Sequence, residues 1–295
     1  MNTIFAIIGG DARQISLAAR LALTGAEVRT FGLPQERLAT GILFFEDWKQ
    51  AINKADVVLL PLPASADGIH INLPLSPGAL APTFLQLLDE IPDQTHLIGG
   101  KFTPAMRTLA DTRGRVLFDY CRSEQFQQKN AVPTAEGAVA ILMDREKRTV
   151  QGLPVAITGY GRVARALARL LVAMGAEVTV GARRDGALAE AAHAGCRTLR
   201  LCDEKSTAEL AKGKAAVFNT VPHWLFVREV LATLSKDTLL IDLASAPGGV
   251  DAEAASGLGV PVVFALSLPG KYSPVTAGEI IAETVLEYLG KEGGA

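Results

Sequence analysis

Histidine, cysteine and aromatic residues are all scarce: four His and three Cys occur in 295 residues, and Phe, Trp and Tyr together make up 6%. Cys121, Cys196 and Cys202 are odd in number and too few for a disulfide framework, which suits a reducing compartment. His193, Cys196 and Cys202 lack the spacing of zinc ligands and a fourth partner, so no metal site is expected. His70 and His96 stand in no motif. Neither sign of charge dominates, since 29 Lys and Arg face 31 Asp and Glu for a net −2. That balance excludes the basic surplus by which proteins hold nucleic acid or an anionic membrane. No run of about 18 uncharged apolar residues is present, so no transmembrane helix is expected. The opening residues Met1–Gln14 have neither the basic segment nor the long apolar stretch of a signal peptide. A cytoplasmic chain is the expectation.

What is present reads as an ordinary globular protein, 49% hydrophobic and 20% charged. At about 150 residues per domain the length predicts two domains. Short apolar runs alternate with segments of helical period, the pattern of α/β folds with parallel sheets. In the first part, strands are expected at Ile4–Ile8, Glu27–Phe31, Val57–Leu60, His96–Ile98 and Val116–Phe118, with a helix over Arg13–Leu23. In the second part, a helix starting at Thr134, with Pro133 before it as cap, runs to about Arg148. Strands follow at Val155–Thr158, Glu177–Val180, Ala216–Asn219, Leu239–Asp242 and Val262–Leu266. A helix over Arg162–Met174 joins the first two of these. The fold class predicted is therefore two doubly wound parallel-sheet domains. Residues 1–130 form a substrate or catalytic domain. Residues 131–274, with a bridging helix 134–148, form a Rossmann domain. A last helix, within 275–295, is expected to pack back on the first domain.

Leu153–Ala164 carries the strongest local motif. Gly159-Tyr160-Gly161-Arg162-Val163-Ala164 fits G-x-G-x-x-G/A, with a strand before it, a long helix after it and a second strand beyond. Gly159 permits the tight turn, Gly161 lets a pyrophosphate approach, and Ala164 allows close helix–sheet packing. Backbone N–H groups at Arg162 and Val163 offer a phosphate site. An NAD enzyme places Asp or Glu at the end of the second strand for the ribose hydroxyls. Here Ala182-Arg183-Arg184 stands there instead, and guanidinium forks suit a 2′-phosphate. NADP is thus expected over NAD; the competing reading is a solvated pair of arginines. Gly9-Gly10-Asp11 resembles half a phosphate loop and is read as structural or as lining a substrate site.

Ligands of open α/β sheets sit beyond the carboxyl ends of the strands. That rule adds Thr220-Val221-Pro222 and Ala244-Ser245 to the cofactor candidates. It makes Arg13, Lys101 and Lys271 candidates for substrate carboxylates, each weighed against an ordinary surface charge. His223 is the candidate proton carrier, since imidazole titrates near neutrality. Lys101 is the second catalytic candidate.

Several longer stretches recur together in one family. They are Gly159–Val163, Val180–Arg183, Asn219-Thr220-Val221-Pro222, Ile241-Asp242-Leu243-Ala244-Ser245-Ala246-Pro247-Gly248-Gly249, Leu268-Pro269-Gly270 and Pro274-Val275-Thr276-Ala277-Gly278. Ile8-Gly9-Gly10-Asp11-Ala12-Arg13-Gln14, Leu60-Pro61-Leu62-Pro63 and Pro133-Thr134-Ala135-Glu136-Gly137 fit it as well. Over essentially its whole length the chain resembles the dipicolinate synthase A-subunit family of spore-forming bacteria. The resemblance implies a protein that works with a flavoprotein-like dipicolinate synthase B-subunit in the mother-cell cytoplasm during sporulation. The implied reaction oxidises a dihydrodipicolinate-level intermediate to dipicolinate, pyridine-2,6-dicarboxylate, and passes a hydride to NADP. A small dicarboxylate is then the substrate, and a homo-oligomer is left open. Two readings compete: a two-domain dehydrogenase of another small carboxylic acid, and a non-catalytic protein that senses NADPH.

Overall fold

The computed structural model describes residues 3–292. Within them two compact units separate: one takes the chain up to Asn130 and again from Ser273, and the other is Ala131–Tyr272.

The first unit holds strands β1 (Ile4–Ile8), β2 (Glu27–Phe31), β3 (Leu43–Phe44), β4 (Val57–Leu59), β5 (His96–Gly99) and β6 (Leu117–Asp119). They form one parallel sheet in the order β3-β2-β1-β4-β5-β6. Alternate residues feed two cores. Phe5, Ile7, Val57 and Leu59 pack on one face, and Ala6, Ile8, Val58 and Leu60 on the other. Burial on both faces is why these strands read as continuous apolar runs. The last helix, Pro274–Glu292, belongs to this unit and packs along the helix Ala12–Ala22.

The second unit holds β7 (Pro154–Thr158), β8 (Glu177–Ala182), β9 (Arg197–Arg200), β10 (Ala216–Asn219), β11 (Leu239–Asp242) and β12 (Val262–Phe264). Its sheet is again all parallel, in the order β12-β11-β10-β7-β8-β9. This is the strand arrangement of doubly wound dinucleotide-binding folds, whose order reverses beside the first strand. The helix Arg162–Ala173 buries Ala164, Leu167, Ala168 and Leu171, a single stripe at three- and four-residue spacing, against this sheet.

Two expectations need correction. The helix expected to start at Thr134 starts at Glu124 instead and ends at Arg145, with Pro133 inside it. Proline removes one backbone donor from a helix interior. Here the apolar side chains on both sides of it, Phe126 and Ala131 before, Ala135, Ala138, Val139 and Leu142 after, are all buried, so packing carries the helix through. The second correction is the addition of two strands. β3 has only two residues, and β9 is a largely exposed edge strand with Arg at both ends, so neither shows an apolar run.

Among the described residues no helix is long and apolar enough to cross a membrane. Nor do three or more His, Cys, Asp or Glu gather there in a way that could hold a metal.

Candidate functional site

The strand order of the second unit reverses between β7 and β10, and the loops leaving their carboxyl ends border a cavity of about 580 Å³. That is the size and the place of a ligand site in such a sheet. The Gly159–Gly161 turn forms one wall. Gly159 has φ +80°, and a β-carbon there would lie 2.8 Å from Val221 Cγ2 and 2.9 Å from Thr220 Oγ1. Only glycine fits both the turn and the contact. At Gly161, by contrast, a β-carbon would meet no other atom within 4 Å. Gly161 is also the N-cap of the helix Arg162–Ala173, and no side chain caps that helix. Backbone donors at an uncapped helix start attract an anion, and the helix dipole adds to the attraction.

The loops of this wall are braced from beneath. Register pairs Thr158 with Asn219 and Asn219 with Asp242, so three polar residues end three adjacent strands in one row. All three are buried. The Thr158 hydroxyl donates to Asn219 Oδ1 at 2.5 Å, and Asn219 Nδ2 donates to Asp242 Oδ1 at 2.8 Å. Asn219 Oδ1 also accepts from Val221 N at 3.2 Å, and Thr220 Oγ1 donates to the Thr158 carbonyl at 2.7 Å. The Asp242 carboxylate accepts in turn from Ala244 N at 3.1 Å and Gly249 N at 3.2 Å. Hydrogen bonds to a charged acceptor contribute about 1.5–3 kcal/mol each. The Asp-Leu-Ala-Ser-Ala-Pro-Gly-Gly stretch therefore folds around its own first residue. Ala244 is buried and Ser245 exposed, and neither lines the cavity.

Arg183 and Arg184 follow the end of β8 and line the cavity, both exposed. Neither has an ion-pair partner among the described residues. Arg200 pairs with Asp185 and donates from Nη1 to the Arg183 carbonyl at 2.9 Å, holding the backbone of that loop. Tyr160, Ala182, Thr220, Val221, Pro222 and His223 line the same cavity. His223 is exposed, and its backbone N–H donates to the Val221 carbonyl at 2.8 Å. Arg162 and Val163 open the helix beside the turn without lining the cavity, and Lys271 lies exposed on the short helix Leu268–Tyr272, outside the lining. Sequence reasoning missed the wall made by Leu201–Glu204 and Thr207, because that wall follows β9. It also missed Trp224.

In the first unit the corresponding turn is closed. Asp11 Oδ1 accepts from Arg13 N at 3.0 Å, and Gln14 Oε1 accepts from Asp11 N at 3.0 Å. This capping box satisfies the start of the helix Ala12–Ala22 and places a carboxylate on it. Arg13 is 4% exposed, forks onto Asp11 at 2.7 and 2.9 Å, and reaches the Leu62 carbonyl. Its charge is therefore already paired, which differs from the expectation of a carboxylate-binding residue. Lys101 is exposed and sits at φ +56°, with its N–H donating to Asp119 Oδ1 at 3.1 Å. Asp119 pairs with Arg107 as well. Burial, then the Asp119 charge, pushes the Cys121 thiol up to about 12. Burial likewise raises the Tyr120 phenol, whose hydroxyl finds no partner among the described residues.

Comparison with known proteins covers both units. The family model for the N-terminal domain of the dipicolinate synthase A-subunit matches residues 4–121. The one described as NADP oxidoreductase, coenzyme F420-dependent, matches residues 154–246. The dipicolinate synthase A-subunit of Bacillus subtilis (strain 168) is 29% identical over 285 residues, 96% of this chain and 95% of that protein. The crystal structure of the dipicolinate synthase A-subunit from Bacillus halodurans aligns with a TM-score of 0.89 at 28% identity, covering 97% of each chain. The corresponding Bacillus subtilis crystal structure aligns with a TM-score of 0.85 at 28% identity, covering 99% of this chain and 97% of that one. The second unit is thus a Rossmann domain of oxidoreductase type, the first unit matches the N-terminal domain model of the dipicolinate synthase A-subunit, and over nearly its whole length the chain is similar to dipicolinate synthase A-subunits.

Proposed function

We propose that this chain binds NADP in the cavity of its second unit and oxidises a dihydrodipicolinate-level intermediate to dipicolinate. The observation that carries the cofactor half is the open, uncapped helix start at Gly161, beside two arginines without ion-pair partners among the described residues. The fit is specific to a phosphorylated ligand. Backbone donors at Arg162 and Val163 would hold the pyrophosphate, and Arg183 and Arg184 the 2′-phosphate, in a place where a carboxylate would repel it. Tyr160, Ala182, Thr220, Val221 and Pro222 would form the walls. When bound, the nicotinamide supplies a hydride acceptor.

Forming an aromatic pyridine from a dihydropyridine removes a hydride and a proton. His223 is the proposed proton acceptor, because its imidazole is exposed on the cavity wall. Lys101, in the first unit, and Lys271, in the second, are exposed cations, each a proposed partner for a substrate carboxylate in its own unit. Arg13 has no part in this scheme, since Asp11 holds it. The designation of the relatives as one subunit of a synthase supports a partner chain, and we assign that place to a flavoprotein-like B-subunit acting in the mother cell during sporulation.

Arg183→Ala tests the cofactor choice. NADP affinity, read by equilibrium dialysis, should fall at least about tenfold, the loss of one charge-assisted contact, with NAD affinity nearly unchanged. Equal losses for the two cofactors would remove the 2′-phosphate from this site.

A further inference from the structure

Trp224 is 52% exposed, although it is one of only two tryptophans in the chain. Its loop is not loose. Beside it the His223 N–H donates to the Val221 carbonyl at 2.8 Å, and Leu225 and Phe226 N–H both donate to the Gly249 carbonyl, at 3.1 and 2.9 Å. Phe226 is fully buried, and Leu225 is half-buried against the same core. The chain is thus pinned on either side of Trp224, while the largest apolar side chain of the loop stays out of the core. Trp224 lines the cavity together with Arg183, Arg184, Leu201, Cys202 and Thr207.

A half-exposed indole at the wall of a ligand cavity is a flat apolar face available to a ring. A nicotinamide dinucleotide brings two flat rings, and the arginines distinguish them. The 2′-phosphate that Arg183 and Arg184 are placed to receive is carried on the ribose of the purine. The ring that belongs to this part of the cavity is therefore the purine. We infer that Trp224 is the stacking platform for the adenine of the dinucleotide, so that the cavity recognises the adenosine half on its own. The inference rests on the dinucleotide reading of the cavity. It assigns a contact that would serve NADP and NAD alike, which separates it from the role of Arg183.

The test uses adenosine 2′,5′-bisphosphate, which carries the purine and the 2′-phosphate but no nicotinamide. Binding of this probe and of NADP to the full chain is measured by equilibrium dialysis and by tryptophan fluorescence. In the wild type the probe should bind and quench emission. In Trp224→Phe the quench should vanish, leaving the steady emission of Trp48 in the core of the first unit. Base stacking on an aromatic side chain predicts that Trp224→Ala loses about tenfold or more in affinity for both ligands, while Trp224→Phe stays within about threefold. Wild-type affinity for both ligands in Trp224→Ala, with no quench in the wild type, would overturn the stacking role and leave the cavity reading intact. Failure of the wild type to bind either ligand would overturn both.

Discussion

Gly161 decides whether the second unit is a binding site or merely a turn. Its missing β-carbon is not demanded by crowding within the protein, because nothing lies within 4 Å of where that carbon would be. Gly161→Val should therefore fold. The poorer N-cap costs about 1 kcal/mol, a drop of roughly 2–4 °C in melting temperature. NADP binding should nonetheless be lost, since the valine fills the space a pyrophosphate needs. Unchanged affinity would place the phosphates elsewhere. The thiols provide a second probe. Cys121 is pushed up to about 12 and the buried Cys196 is also raised, whereas Cys202 is exposed on the cavity wall. At pH 8 an alkylating reagent should modify Cys202 first, and NADP should slow that modification several-fold. Fast labelling of Cys121, or no protection of Cys202, would contradict the arrangement. Arg13 marks the limit of reading a residue by its type. A lone cation at the start of a helix looks available, yet Asp11, two residues earlier, turns back and takes its charge.

At the scale of elements, the buried strands were legible because both of their faces lie in core, which leaves an unbroken apolar run. β9 was not legible, since its side chains are mostly exposed at the sheet edge, and the cavity wall after it was lost with it. Pro133 misled for a different reason. Local propensity favours a break there, while the buried residues on both sides of it outweigh one missing hydrogen bond. The helix Pro274–Glu292 shows packing of another kind. A β-carbon on Gly278 would lie 2.4 Å from the Arg13 carbonyl oxygen and 2.9 Å from Leu17 N, so the two helices touch backbone to backbone. Alanine is the better helix former by about 1 kcal/mol. Gly278→Ala should even so destabilise the protein, by about 1–3 kcal/mol in denaturant unfolding, because the contact must open. A stabilised variant would show that the contact is looser than described.

Across the whole molecule the same strand order occurs twice, with opposite outcomes at the glycine turn after the first strand. In the first unit Asp11 and Gln14 close the helix start and leave a negative charge on it. In the second unit the helix start is uncapped, and two arginines without ion-pair partners among the described residues line the adjoining cavity. The glycine spacing foretold this difference in part: Gly159-Tyr160-Gly161 fits the dinucleotide pattern, and Gly9-Gly10-Asp11 does not. The row Thr158, Asn219 and Asp242 could not be read from spacing, because it depends on the register of three strands far apart in sequence. The central claim is oxidation coupled to NADP. It is tested most directly by supplying freshly generated dihydrodipicolinate and NADP to the purified chain, with and without the B-subunit, and following both products. NADPH and dipicolinate are expected in equal amounts, with both lost in Gly161→Val. Dipicolinate formed without matching NADPH, or no turnover under either condition despite tight NADP binding, would contradict the claim.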